Sequence, residues 1–215
     1  MKTSTRWTVA ALVVVVAIGA GLWLQLRGGE SETGSSVPGA PRDRRDADTA
    51  EALAGPRASA DLAPCPTPGV GDGPEALRAI ILECAGDGSS VDVASAVAGR
   101  TVVLNLWAYW CAPCAHELPA MAEYQRRVAP EVTVLTVHQD ENETAALLRL
   151  AELGVHLPTL QDGRRRIAAA LKVPNVMPAT VVLRADGSVA AILPRSFANV
   201  DEISAAVDPL LGEPG

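Results

Sequence analysis

Apolar positions fall along this chain in four patterns. From Trp7 to Leu26 they run without a single charge, about the length of ~20 residues that a helix needs to cross a bilayer. From Gly28 to about Ala60 large apolar residues almost vanish and Gly, Ser, Pro, Ala and mixed charges replace them. Such a stretch cannot bury enough surface to order itself, so residues 28–60 are expected to form a flexible spacer. Beyond it come short β-branched and apolar runs at Thr101–Ala108, Glu131–His138, Ala179–Arg184 and Val189–Leu193, which read as strands. The Glu131–His138 run is nearly continuous, as in a sheet covered on both faces; the last two flank Asp186-Gly187, a hairpin turn. The fourth pattern is helical. Asn142–Leu153 repeats through Ala146, Leu147, Leu150 and Leu153, with Asn142 as cap and Gly154 as stop. Helices are also expected at Pro113–Arg127 and Asn199–Leu211, with shorter ones at Val91–Ala98 and Arg164–Lys172. Val155–Leu160 reads as a short strand or extended link, and the C-terminal half of residues 75–84 as a strand before Gly86-Asp87-Gly88. A β-α-β unit followed by a helix, a hairpin and a helix predicts an α/β sandwich on a central mixed sheet. The expected division is 1–27, 28–60 and a domain over 61–215.

The N-terminal run carries Lys2 and Arg6 on its leading flank, which puts that end in the cytoplasm and everything after Arg27 outside. Trp7 and Trp23 lie near its two ends, as interfacial aromatics do. The competing reading is a cleaved signal peptide, with small residues such as Ala17-Ile18-Gly19 at the cleavage site. Leu22, Trp23, Leu24 and Leu26 extend the run past what such a peptide needs, which favours an uncleaved anchor, with secretion as the outcome of cleavage. Either way the rest of the chain is exported. A formal net charge of −7 argues against nucleic acid as a partner, since no basic stripe is present to neutralise phosphates.

The four cysteines pair naturally as Cys65 with Cys84 and Cys111 with Cys114. In an exported chain the first pair reads as a structural disulfide, worth about 3 kcal/mol on the loop-entropy model; a second redox pair and a four-cysteine zinc site are the alternatives. The second pair is different. Trp110-Cys111-Ala112-Pro113-Cys114 ends an apolar strand and opens a helix, with Pro113 in the first turn where a missing N–H costs nothing. A sulfur at a helix N-terminus faces unpaired N–H groups and the positive end of the helix dipole, and both favour thiolate. Cys111 is therefore the expected reactive sulfur and Cys114, one turn in, its more buried partner.

The run Val102-Val103-Leu104-Asn105-Leu106-Trp107-Ala108-Tyr109-Trp110-Cys111-Ala112-Pro113-Cys114-Ala115-His116-Glu117-Leu118-Pro119, followed by Met177-Pro178-Ala179-Thr180-Val181-Val182-Leu183 and an Asp-Gly turn, resembles the membrane-anchored thioredoxin-like proteins of the TlpA/ResA/CcmG type. The match covers roughly Val91 to Leu211. The resemblance implies a thioredoxin-like three-layer α/β/α sandwich with a central mixed sheet, preceded by one N-terminal transmembrane helix. It implies Cys111 as nucleophile, Cys114 as resolving thiol, Pro178 as a cis-proline against the dithiol and Met177 as the backbone that pairs with substrate. Trp110 is expected to cover the active site on its substrate-binding side, with Tyr109 on the rim and Trp107 in the core. Strand position 105, where a classical thioredoxin carries a buried Asp, holds Asn and cannot take a proton. Glu117, at i+3 from Cys114 on the same helix side, is the expected proton partner if that face is buried. His116 is expected to face solvent, and His138 and His156 to be structural. No metal or dissociable cofactor is expected, only the redox-active disulfide Cys111–Cys114.

The activity implied is an extracytoplasmic thiol–disulfide oxidoreductase that keeps protein cysteine pairs reduced, with apocytochrome c as one substrate class. Its electrons would come from a membrane thiol-electron carrier of the CcdA/DsbD type. An oxidase that inserts disulfides into secreted proteins is the alternative on the same fold, and a non-catalytic metal- or apoprotein-binding module is a third reading of another class.

Overall fold

The computed structural model describes residues 48–211; the expected anchor and the spacer up to residue 47 lie outside the described residues. Among the described residues no helix is long and apolar enough to cross a membrane. Seven strands, β1 (Ile81–Cys84), β2 (Ser90–Asp92), β3 (Thr101–Trp107), β4 (Val132–His138), β5 (Thr159–Gln161), β6 (Ala179–Leu183) and β7 (Val189–Leu193), form one sheet in the order β2-β1-β5-β4-β3-β6-β7. β3, β4 and β5 are parallel neighbours, and every other pairing is antiparallel. The helices are α1 (Ala50–Ala60), α2 (Val93–Val97), α3 (Ala112–Val128), α4 (Glu143–Leu153), α5 (Arg166–Ala170) and α6 (Val200–Leu211).

Alternation along β3 sorts the core into two layers. Val102, Leu104 and Leu106 pack with Val93 and Val97 of α2 and Ile167 of α5. Val103 and Trp107 face the other way, toward Leu118, Met121 and Tyr124 of α3, Leu150 of α4 and Ile203 and Val207 of α6. Helices therefore cover both faces of a mixed sheet, which is the α/β/α sandwich expected. Cys65 and Cys84 are joined by a disulfide across a sequence separation of 19, tying the extended Pro-rich entry segment to β1.

Three expectations are corrected. Residues 50–60 are helix α1, so the spacer assigned to 28–60 does not extend to residue 60. The apolar content that hid this helix is small: Leu53 and Ala60 bury against Ala85 and Leu147. Polar anchors supply the rest. Asp48 accepts from the N–H groups of Glu143 and Thr144 at the α4 N-terminus (3.0 and 3.3 Å), a favourable place for a carboxylate. Arg57 bonds to Glu143 at 3.0 Å and pairs with Glu83. His156 Nδ1 donates to the carbonyls of Ala60 and Asp61. The second correction concerns Val91–Ala98, whose first residues pair with β1 as β2 (Leu82 opposite Val91). The helix starts only at Val93, where the Asp92 carboxylate accepts the Ser95 N–H at 2.9 Å. Finally, the helix expected over Arg164–Lys172 is confined to Arg166–Ala170, because Asp162, 1% exposed, caps the N–H groups of Arg166 and Ile167.

The α1 clamp has a measurable consequence. Burial pushes the Glu143 carboxyl up to about 7, with Arg57 opposing. Removing Arg57 strands a buried carboxylate, so Arg57→Ala should cost about 3 kcal/mol at pH 8. The loss should shrink at pH 6, where Glu143 takes a proton and needs no counter-charge. Urea unfolding at the two pH values measures both.

Candidate active site

The parallel strands end in two polar rows on the α3 face of the sheet. Thr180, Asn105, Thr136 and Thr159 stand side by side in register across β6, β3, β4 and β5, and Trp107, His138 and Gln161 form the next row. All except Gln161 are buried. β3 then hands the chain through Ala108–Trp110 to α3, and the dithiol sits at that junction.

Cys111 is the N-cap of α3: its backbone is extended and its Sγ accepts the Cys114 N–H at 3.2 Å. A sulfur there takes the hydrogen bond that a capping hydroxyl normally provides and lies at the positive end of a 17-residue helix. Cys111 and Cys114 are disulfide-bonded, with Cα atoms 5.3 Å apart. Cys111 is 5% exposed and Cys114 1%, so Cys111 is the less buried of the two sulfurs. Trp110 is 59% exposed and its indole N–H donates to Asp140 Oδ2 at 3.0 Å. A cleft of about 330 Å³ opens beside Cys111, between Tyr109, Trp110 and His116 on one wall and Arg149 and Leu153 of α4 on the other. His116 is exposed. The Met177–Pro178 peptide is cis; Pro178 is buried at the head of β6, and Met177 packs against the cluster that holds both sulfurs.

Glu117 is fully buried, one turn past Cys114. Its Oε1 accepts from Asn105 Nδ2 at 3.0 Å, which places the strand amide and the helix carboxyl in one polar pocket inside the core. Burial raises the carboxyl to about 8. Opposing it, in decreasing order, are the Phe197 N–H, the Asn105 amide, the Arg195 charge and the Thr180 hydroxyl. The Arg195 guanidinium lies over the Phe197 ring at 4.4 Å, so the segment after β7 closes the pocket from the α6 side. The structure thus gathers Trp110, Cys111, Cys114, Glu117, Met177 and Pro178 around one junction and keeps Cys65 and Cys84 in the entry segment and β1. Arg195, Phe197 and Thr180 were not singled out by sequence; only the register of β6 against β3 would have drawn Thr180 to Asn105. Among the described residues no group of three or more His, Cys, Asp and Glu is arranged to hold a metal ion.

Fold and site together define a thioredoxin-like protein whose dithiol opens the helix after the central strand. The model of the Redoxin family matches residues 65–205, and the chain belongs to that family. It is 30% identical over 96 residues to the thiol-disulfide oxidoreductase ResA of Bacillus subtilis, covering 44% of this chain and 53% of ResA. The thioredoxin-like protein YneN of the same organism is 36% identical over 70 residues, 33% of this chain and 39% of YneN. The chain therefore spans about half or less of the length of these relatives. Among solved structures, a secreted Mycobacterium tuberculosis disulfide oxidoreductase superposes with a TM-score of 0.55 at 27% identity over 63% of this chain and 98% of that one. A secreted thiol-disulfide isomerase from Corynebacterium glutamicum gives 0.56 at 27% identity, covering 64% and 86%.

Proposed function

We propose that the chain is a thiol–disulfide oxidoreductase that reduces protein disulfides outside the cytoplasmic membrane. The observation that carries this reading is the Cys111–Cys114 pair at the α3 N-terminus with the more exposed sulfur as helix cap. The names of the ResA relative and the secreted structural neighbours support the same class.

The cycle follows from the site. In the reduced form the Cys111 thiolate attacks one sulfur of a substrate disulfide, forming a mixed disulfide and expelling the other substrate sulfur as a thiolate. Cys114 then passes its proton to Glu117, attacks Cys111 Sγ and releases the substrate's remaining sulfur. Two electrons have moved from the dithiol to the substrate, and Cys111–Cys114 is a disulfide with Glu117 protonated. The disulfide is the form described here, and a neutral carboxyl suits its dry pocket. Re-reduction reverses the proton step, Glu117 returning its proton to the Cys114 thiolate.

The surroundings complete the proposal. Uncharged Trp7–Leu26 behind Lys2 and Arg6 supports a single-pass anchor with a cytoplasmic N-terminus, or secretion if the segment is cleaved. A dithiol working outside the membrane needs a reductant, for which a membrane thiol-electron carrier of the CcdA/DsbD type is the fitting class. Met177 offers its backbone to the substrate chain and Trp110 covers it, with apocytochrome c among the substrates. Redox titration of Cys111–Cys114 tests the direction of flow. A potential near about −270 mV is expected, whereas one near about −120 mV would make the protein an oxidase. Cys114→Ser should accumulate substrates as mixed disulfides on Cys111. If none accumulates while Cys111 remains reactive to alkylation, exchange is not its work.

A further inference from the structure

Behind the two residues that precede Cys111, hydrogen bonds close into a ring. The Tyr109 N–H donates to His138 Nε2 at 3.4 Å, and His138 Nδ1 meets Gln161 Oε1 at 2.8 Å. Gln161 Nε2 donates to the Asp140 carbonyl at 2.7 Å, and Asp140 Oδ2 accepts the Trp110 indole N–H at 3.0 Å. Trp110 follows Tyr109 in the chain, so the circuit returns to its start. Register makes it possible: Trp107, His138 and Gln161 are direct partners across three parallel strands, and their side chains rise from one face.

The polarity of the ring is dictated by its two backbone members. A carbonyl can only accept, so Gln161 must turn its NH₂ to Asp140 and its oxygen to His138. His138 Nδ1 must therefore carry the proton. An amide N–H can only donate, so Nε2 must present a lone pair to Tyr109. Imidazolium would set two donors against each other at Tyr109, and the Nε2–H tautomer would fail at both contacts. The imidazole is fully buried, with its centroid 4.9 Å from that of Trp107 and 6.1 Å from that of Tyr109. Burial disfavours its charged form, against the Gln161 hydrogen bond and the carboxylates of Asp140 and Asp48.

The geometry points to His138 as a positioning residue for Cys111, held as the neutral Nδ1–H tautomer to fix the Tyr109–Trp110 turn on which the reactive sulfur is mounted. The Cys111 N–H bonds to the Ala108 carbonyl at 3.0 Å, so the cysteine rides on the last turn before α3. Its Sγ reaches the Cys114 N–H only if that turn stays in place, and small displacements at such a site weaken the stabilisation of a thiolate. His138 touches neither sulfur; it acts through Tyr109 directly and through Gln161 and Asp140 on Trp110. This role rests on Cys111 being the exchanging thiol proposed above.

Two measurements on the full-length chain test it. Long-range ¹H–¹⁵N correlation at pH 7 should show His138 with Nδ1 protonated and Nε2 bare; the Nε2–H tautomer or imidazolium overturns the inference. The second measurement is iodoacetamide alkylation of Cys111 at pH 7 in a Cys114→Ser background. There His138→Leu should slow the reaction about fivefold or more, while His138→Gln, which keeps an acceptor where Nε2 lies, should stay within about twofold. Equal rates for all three chains, or Gln as slow as Leu, overturn it too. If His138→Leu does not fold, Gln161→Leu takes its place with the same slowing expected and an unchanged rate counting against the inference. Alkylation needs no disulfide substrate. A chain with this pattern that reduces no disulfide sinks the exchange reading and leaves the positioning of Cys111 standing.

Discussion

Replacing Cys111 by serine should bring disulfide exchange down to the uncatalysed background, a fall of about three orders of magnitude or more, without unfolding the domain. The two halves of that expectation have separate causes. A serine hydroxyl at this position stays protonated across the working pH range and cannot displace sulfur from a disulfide. Yet Cys111 is also the N-cap of α3, its sulfur accepting the Cys114 N–H, and serine is among the best residues for that task. The helix therefore keeps its cap while the chemistry is lost. Insulin reduction under thiol reductant reads the first half and thermal unfolding the second. Comparison with Cys114→Ser, which retains the Cys111 nucleophile, separates attack from resolution: one variant should bind no substrate covalently and the other should hold it. If Cys111→Ser still reduces insulin while Cys114→Ser does not, the roles of the two sulfurs are reversed.

The dithiol and Glu117 were legible in the sequence because their meaning is local, whereas Met177 and Pro178, far along the chain, were placed by the family resemblance. A strand, a Cys-x-x-Cys and a carboxylate at fixed helical spacing specify one another within about 20 residues of chain. Strands β3, β4, β6 and β7 were equally legible from β-branched runs. Helix α1 was not, since Gly55 and Pro56 interrupt it and Leu53 is its one large buried residue. What orders it lies far along the chain, in Glu83, Glu143 and Leu147. His138 shows the same limit at the site itself. Read alone it is a histidine at the end of an apolar strand, and its partners Tyr109 and Gln161 lie 29 and 23 residues away. The pairing register that joins them is settled by packing on both faces of the sheet and leaves no trace in spacing.

Glu117→Gln should remove both a stability slope and a kinetic inflection. The wild-type carboxyl titrates near about 8 when folded, raised chiefly by burial, and near about 4.3 when unfolded. Between those values the folded chain holds a proton that the unfolded chain has lost, so its stability falls as pH rises through the window. Fully present below the lower value and gone above the upper one, this contribution is on the order of 5 kcal/mol. Glu143, pushed to about 7, gives a slope of the same sign, so the difference between wild type and Glu117→Gln isolates Glu117. Relative to wild type, the variant should gain on the order of 4 kcal/mol between pH 5 and pH 9, read from urea midpoints. A neutral amide cannot accept the Cys114 proton, so disulfide reduction at pH 8 and above, where Glu117 is ionised, should also fall about 100-fold and lose its inflection near 8. The two readouts can part company. A vanished stability slope with an unchanged rate profile would leave Glu117 a buried acid that Cys114 does not use, and the Cys114 proton would have to leave toward the solvent side of the cleft.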